Sequence, residues 1–225
     1  MSRVWLYQPR GIADNIAFDS HNLYPGVVKV KPDGENLYQN MEVDYKINDV
    51  TIADLQDILM GHSSSRLPHV ISSGKNDNVV VFWCGHGNQN RLAWGSHETV
   101  YGSQVRDILQ TMNEEQRYRK ILFAMDACYS GSIGEACAGI PGILFITAAN
   151  AYESSKADMK DPEMGIWLSN GFTRTFQETI DEDPGITLRN LYYKLARQTI
   201  GSHAMVYNVE HYGNVYSNTM TEFLK

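Results

Sequence analysis

A histidine and a cysteine in this chain each stand just past an apolar run of strand length, and together they could carry nucleophilic catalysis. Asn78-Val79-Val80-Val81-Phe82-Trp83-Cys84 leads into Gly85-His86-Gly87, and Lys120-Ile121-Leu122-Phe123-Ala124-Met125 leads into Asp126-Ala127-Cys128-Tyr129-Ser130-Gly131-Ser132. A thiol is a weak nucleophile until a base makes it a thiolate, and an imidazole with an unperturbed pKa of about 6.5 is suited to that task. Gly85 and Gly87 leave the backbone around His86 open to a substrate carbonyl. The amides of Gly87 and Cys128 could then donate to the oxyanion that forms on attack. Taken separately, Gly85-His86-Gly87 reads more readily as a turn with a surface histidine, and a lone cysteine equally well as a small buried hydrophobe. Their parallel placement, 42 residues apart, favours chemistry.

Near-continuous apolar runs bounded by glycine and polar residues read as strands buried on both faces of a parallel sheet, where ligands and catalytic groups gather at the carboxyl ends. The surrounding elements fit such a sheet. Residues 4–7 predict a short strand, and the Pro-, Gly- and Asn-rich stretch 19–40 a surface excursion with a small hairpin around residues 27–30. Thr51 and Asp54 form a capping-box pattern that opens a helix running through Leu59 and stopping at Gly61, followed by a polar loop over 62–77. Residues 91–94 and 99–101 should pair across Gly95-Ser96. Ser103 should cap a helix carrying Val105, Ile108, Leu109 and Met112 on one face. Beyond Cys128, the pattern predicts a short helix over 133–138, a strand over 143–149, helices over 167–179 and 187–199, and a late strand over 204–207. Strand-helix alternation of this kind predicts an α/β fold with a mostly parallel sheet and right-handed crossovers. With no internal repeat, low-complexity tract or linker, residues 1–225 read as a single domain.

A formal net charge of −7 argues against nucleic acid or an anionic membrane as partner. No run approaches the roughly 18 apolar residues of a membrane span. The apolar stretch before Pro9 is too short for a signal peptide, so the chain as written is expected to be cytoplasmic, or extracytoplasmic if its natural start lies upstream. Three cysteines exclude a fully paired disulfide scaffold and leave at least one free thiol. Cys84, His86, Cys128 and Cys137 could in principle make a zinc set. However, structural zinc ligands come in pairs about two to four residues apart, and the 128/137 spacing does not fit. No metal or cofactor is therefore expected, with Cys84 a core residue and Cys137 packed behind the nucleophile. The remaining histidines sit mostly in polar contexts, and Glu98 and Glu153 have no charged partner nearby in sequence. No carboxylate pair for glycosidase-like chemistry stands out.

A cysteine in an Asp126-Ala127-Cys128 context, 42 residues after a histidine, is close to the order and distance of the caspase signature. Around it the chain resembles the legumain family of caspase-fold cysteine peptidases, which includes the catalytic subunit of the GPI transamidase. The matched blocks run in one order across nearly the whole chain. They are Asp14-Asn15-Ile16-Ala17, Asn22-Leu23-Tyr24-Pro25-Gly26-Val27-Val28, Pro32-Asp33-Gly34, Val43-Asp44-Tyr45-Lys46, Asn48-Asp49-Val50-Thr51 and Gly85-His86-Gly87. They continue with the segment from Asp126 to Ser132, Thr147-Ala148-Ala149-Asn150-Ala151-Tyr152-Glu153-Ser154-Ser155, Ser202-His203 and Tyr212-Gly213-Asn214. The resemblance implies a caspase-like three-layer α/β sandwich, with His86 as general base and Cys128 as nucleophile acting on a peptide or protein substrate. The same acyl-enzyme would give transpeptidation if an amine replaced water.

Three departures shape further expectations. Family members begin with a further strand and helix, whose strand end carries an Asn beside the catalytic His and an Arg that grips the substrate. This chain reads as N-terminally truncated relative to that pattern, with an open sheet edge that invites self-association. The residue after the nucleophile is Glu in legumain and Tyr129 here, and the acidic residue before a Trp is replaced by Ile166. A substrate pocket formed by Tyr129, Ser154, Ser155 and Ile166, with Ala151 and Tyr152 nearby, is therefore expected to prefer an uncharged side chain. The alternative is a catalytically silent binding or regulatory module that keeps the fold. Covalent trapping of Cys128 discriminates the two.

Overall fold

The structure, a computed structural model, describes residues 6–7, 29, 31–36, 43–95, 98–163, 165 and 167–224. Its centre is a four-stranded sheet in the order β11-β8-β7-β3, built from β3 (Asn78–Cys84), β7 (Lys120–Asp126), β8 (Ile143–Thr147) and β11 (Met205–Tyr207). The first three are parallel to one another, and β11 closes one side antiparallel to β8. Side chains alternate across each strand, so β7 feeds two cores at once. Ile121, Phe123 and Met125 face a layer holding α1 (Ile52–Met60) and α2 (Gly102–Glu114). Leu122 and Ala124 face α4 (Gly171–Glu182) and α5 (Leu188–Gln198), which contribute Phe172, Phe176, Leu191 and Leu195. Helices on both faces of a mostly parallel sheet make the three-layer α/β sandwich that the apolar runs predict.

Around this frame sit β1 (Leu6–Tyr7), parallel to β2 (Tyr45–Lys46), and a small antiparallel meander of β4 (Gly87–Asn88), β5 (Arg91–Trp94) and β6 (Glu98–Tyr101). A hairpin of β9 (Ala157–Lys160) and β10 (Trp167–Asn170) and the short helices α3 (Gly131–Ala136), α6 (Val209–Tyr212) and α7 (Thr221–Leu224) complete it. The α1 capping box forms as the sequence predicts. Thr51 N donates to Asp54 Oδ2 at 2.7 Å and Asp54 N to Thr51 Oγ1 at 3.2 Å, and Gly61 ends the helix at φ 76°. Pro32-Asp33-Gly34 lies in a turn, with Gly34 N donating to Lys31 O at 2.9 Å. The predicted hairpin around residues 27–30 lies, apart from Lys29, outside the described residues.

Four expectations need correction. Among the described residues β3 pairs only with β7, so it lies at an edge of the sheet, and only Val79 of its residues is fully buried. Phe82 is 39% exposed and Cys84 is exposed instead of core. Residues 167–170 are strand β10, not the start of a helix. Asn170 is the N-cap of α4, its Oδ1 accepting from Thr173 N at 2.9 Å, so the chain turns helical only at Gly171. Ser103 lies inside the first turn of α2, whose entry is held by Gln104 Oε1 accepting from Tyr101 N at 2.9 Å.

Candidate active site

The register of the two central strands brings His86 and Cys128 level. Pairing runs from Asn78↔Lys120 to Cys84↔Asp126, a constant offset of 42 residues (120 − 78 and 126 − 84). His86 and Cys128 share it (128 − 86 = 42), two residues beyond the last pair. Gly85 N carries the contact one step further by donating to Asp126 O at 3.0 Å. Adjacent strands lie about 4.8 Å apart, so the two residues leave the sheet on neighbouring chains.

Gly87 then seats the histidine loop against the cysteine. A Cβ at this position would stand 2.3 Å from Cys128 O and 3.1 Å from the Ala127 Cβ, so the close approach requires glycine. Ala93 N donates to His86 O at 2.9 Å, which makes 86/93 a bonded position of the meander and Gly87↔Leu92 the non-bonded pair next to it. The Gly87 amide consequently points away from β5. His86 is exposed and Cys128 half-buried.

The turn after β7 is tightly held. Tyr129 adopts φ 57°, a left-handed conformation uncommon for a bulky L-residue, and its N–H donates to Glu153 O at 2.8 Å. Ser132 Oγ donates to Tyr129 O at 2.7 Å and accepts from Asn90 N at 2.7 Å, joining the turn after β7 to the loop after β4. Gly131 N donates to Ala149 O at 3.0 Å, and Ala149 N to Ser130 Oγ at 3.2 Å, bringing in the loop after β8. Within that loop Ser155 meets the thiol, with Cys128 Sγ 3.7 Å from both Ser155 O and Ser155 Oγ. Of the four pocket residues expected from sequence, Ser155 therefore touches Cys128 and Tyr129 adjoins it. Ser154 is half-buried in the same loop, and Ile166 lies outside the described residues.

Two arrangements at the site escaped the sequence reading. Glu153, read as lacking a partner, accepts from Asn150 N at 3.1 Å and His203 N at 2.7 Å through Oε1, while Oε2 lies 2.9 Å from His203 Nδ1. Burial alone would raise its pKa, but the bonds from His203 and Asn150 outweigh that and hold the carboxyl below the ordinary range. The matched Ser202-His203 block was the only sequence signal for this pair, 50 residues apart. Asp126, two residues before the cysteine, is 2% exposed, and its carboxylate accepts from Asn170 Nδ2 and Thr173 Oγ1 at the start of α4. Burial pushes its pKa up to about 6 against the opposing effect of the Thr173 and Asn170 bonds. Cys137 is fully buried, its Sγ 4.0 Å from Gly102 O at the start of α2. Among the described residues no three His, Cys, Asp or Glu side chains are grouped to hold a metal.

The Peptidase C13 family model matches residues 12–222. Over 201 residues the chain is 29% identical to the vacuolar-processing enzyme delta-isozyme of Arabidopsis thaliana, covering 84% of this chain and 43% of that one. It is 29% identical over 213 residues to human legumain, with 92% and 48% covered, and 29% identical over 202 residues to the GPI-anchor transamidase of Saccharomyces cerevisiae, with 87% and 49% covered. The chain thus spans about half the length of these curated relatives. Among solved structures, caspase-1 of Spodoptera frugiperda aligns with a TM-score of 0.50 at 12% identity over 88% of this chain and 76% of that one. A Geobacter sulfurreducens protein aligns at 0.51 and 12%, covering 92% and 94%. These likenesses fix the fold as the caspase-like sandwich.

Proposed function

From the premise that this chain belongs to the Peptidase C13 family, we propose that it is a cysteine endopeptidase working through Cys128 and His86. The observation that carries the reading is the shared 42-residue offset, which sets the two side chains on adjacent strand ends, with Gly87 closed against Cys128. His86 takes the proton from the Cys128 thiol, and the thiolate sulfur bonds to the peptide carbonyl carbon. The amides of Gly87 and Cys128 hold the resulting oxyanion. Its collapse breaks the C–N bond, His86 returns the proton to the departing amine, and a thioester remains on Cys128. Water then gives a proton to His86 and attacks the thioester, releasing the acid and restoring the thiol. An amine in place of water gives transpeptidation from the same intermediate. The side chain before the scissile bond sits among Tyr129, Ser154 and Ser155.

The test is an acyloxymethylketone or iodoacetamide probe, with the label mapped by mass spectrometry. Mapping is needed because Cys84 is also exposed. Labelling should concentrate on Cys128 and fall sharply in His86→Ala. Label that ignores Cys128, or persists unchanged in that variant, refutes the proposal.

The outer edge of β3, unpaired among the described residues, favours a second reading, a module that pairs with a second copy of itself. Beside this edge runs an apolar groove of about 790 Å³, lined by Val81, Phe82, Trp83, Leu55 and Val105. Edge-to-edge pairing predicts a concentration-dependent dimer in sedimentation. A strict monomer rejects it.

A further inference from the structure

Glu153 joins three segments that meet behind the cysteine. Its carbonyl accepts Tyr129 N, the amide directly after Cys128, at 2.8 Å. Its carboxylate fixes Asn150 N within its own loop and reaches across to both the backbone N–H and the ring of His203, just before β11. Two residues on, Ser155 contacts the thiol. Gly131 leaves no slack on the opposite side, because a Cβ there would lie 2.7 Å from Ala151 N and 2.2 Å from Tyr207 Oη.

We propose that Glu153 is a positioning residue for the nucleophile, with His203 as its anchor. The argument rests on backbone geometry. Tyr129 sits at φ 57°, a conformation that costs free energy and persists only where its surroundings impose it. The bond to Glu153 O is the contact that holds the Tyr129 amide, and therefore the plane of the peptide that follows Cys128 Cα. The Glu153 carbonyl is aimed by a side chain that accepts three hydrogen-bond contacts, two of them from a segment 50 residues away in sequence. Removing the carboxylate leaves Asn150 N and His203 N without their acceptor and frees the loop to turn its carbonyl away. The cysteine would remain in place, but its sulfur would lose its fixed direction toward the substrate carbonyl.

This proposal rests on Cys128 being the nucleophile, and the experiment separates the two. Peptide turnover and the rate of Cys128 labelling are measured for the wild type, Cys128→Ala, Glu153→Ala, Glu153→Gln and His203→Ala, with melting temperature recorded for each. Glu153→Ala should lower kcat and the labelling rate about 10- to 100-fold with KM changed little, as expected for a misdirected reacting atom. Glu153→Gln keeps an acceptor for both backbone amides and should recover to within about threefold of wild type. His203→Ala keeps the backbone bond and should fall between them. Wild-type Cys128 that resists labelling, or turnover that survives in Cys128→Ala, overturns the catalytic reading itself. Normal wild-type labelling that is unchanged in Glu153→Ala overturns the positioning proposal alone. So does a Glu153→Ala variant that merely melts earlier, with the kcat of its folded fraction intact.

Discussion

Substituting Asp126 by Asn should change how stability responds to pH. The Asp126 carboxyl is 2% exposed, and burial lifts its pKa to about 6, from about 3.9 in an unfolded chain. Because the folded state holds the proton more tightly, the stability this group confers is complete below the unfolded pKa. It is lost as pH rises from about 4 to about 6, and above that window the contribution is flat. A difference of about two pKa units corresponds to about 3 kcal/mol between the two ends. Asparagine matches the shape of the protonated acid and offers Asn170 or Thr173 one carbonyl acceptor, but has no charge to strip of water. The variant should therefore gain about 3 kcal/mol relative to the wild type on moving from about pH 4 to about pH 7.5. Urea unfolding of both proteins across this range gives the difference curve, in which the histidines and other carboxylates cancel. A flat difference would refute the reasoning. A curve in which the wild type gains as pH rises would mean that the Asn170 and Thr173 bonds outweigh desolvation.

Gly87→Ala places a Cβ 2.3 Å from Cys128 O, so the histidine loop must move away. Labelling at Cys128 should fall about 100-fold while circular dichroism shows the sheet intact, and unchanged labelling would contradict the close approach. Thr51→Ala removes the hydroxyl that accepts from Asp54 N and should cost about 1 kcal/mol in urea unfolding; a cost near zero would mean that Asp54 alone holds the helix entry. In a positional-scanning peptide library, an uncharged residue should be preferred at the cleavage site. Leaving a charge unpaired beside Tyr129 would cost several kcal/mol, and 3 kcal/mol is roughly 10²-fold in kcat/KM. Strong preference for Asp or Arg would refute that specificity.

What was legible in the sequence and what was not divides along the reach of each interaction. β7 is a continuous apolar run because neighbouring strands flank it and helices cover both its faces, so composition alone announces its place. β3 carries the same composition, yet its far side has no partner among the described residues. An apolar run reports that burial is wanted but not how many strands supply it. Residues 167–170 fall within the helix expected over 167–179, and Phe172 and Phe176 farther along it do share one core. The Asn170-Gly171 cap signal inside that stretch marks the true start. β9 was missed because its four residues are only half-buried or exposed, which leaves no alternation to read.

The candidate pair was legible for a stronger reason than motif matching. Two seven-residue runs that pair without a bulge must keep one offset along their length, so residues with that same offset just beyond their ends emerge side by side. The sequence separation of His86 and Cys128 is itself the strand register, and it could be read before any coordinate was known. Glu153 and Asp126 have no comparable rule, because their partners, 44 to 50 residues away, come from loops and a helix cap whose approach depends on the packed layers. The candidate pair is therefore set by the strands and visible from them, whereas the groups that hold the turn after Cys128 and the start of α4 emerge only when those layers have packed.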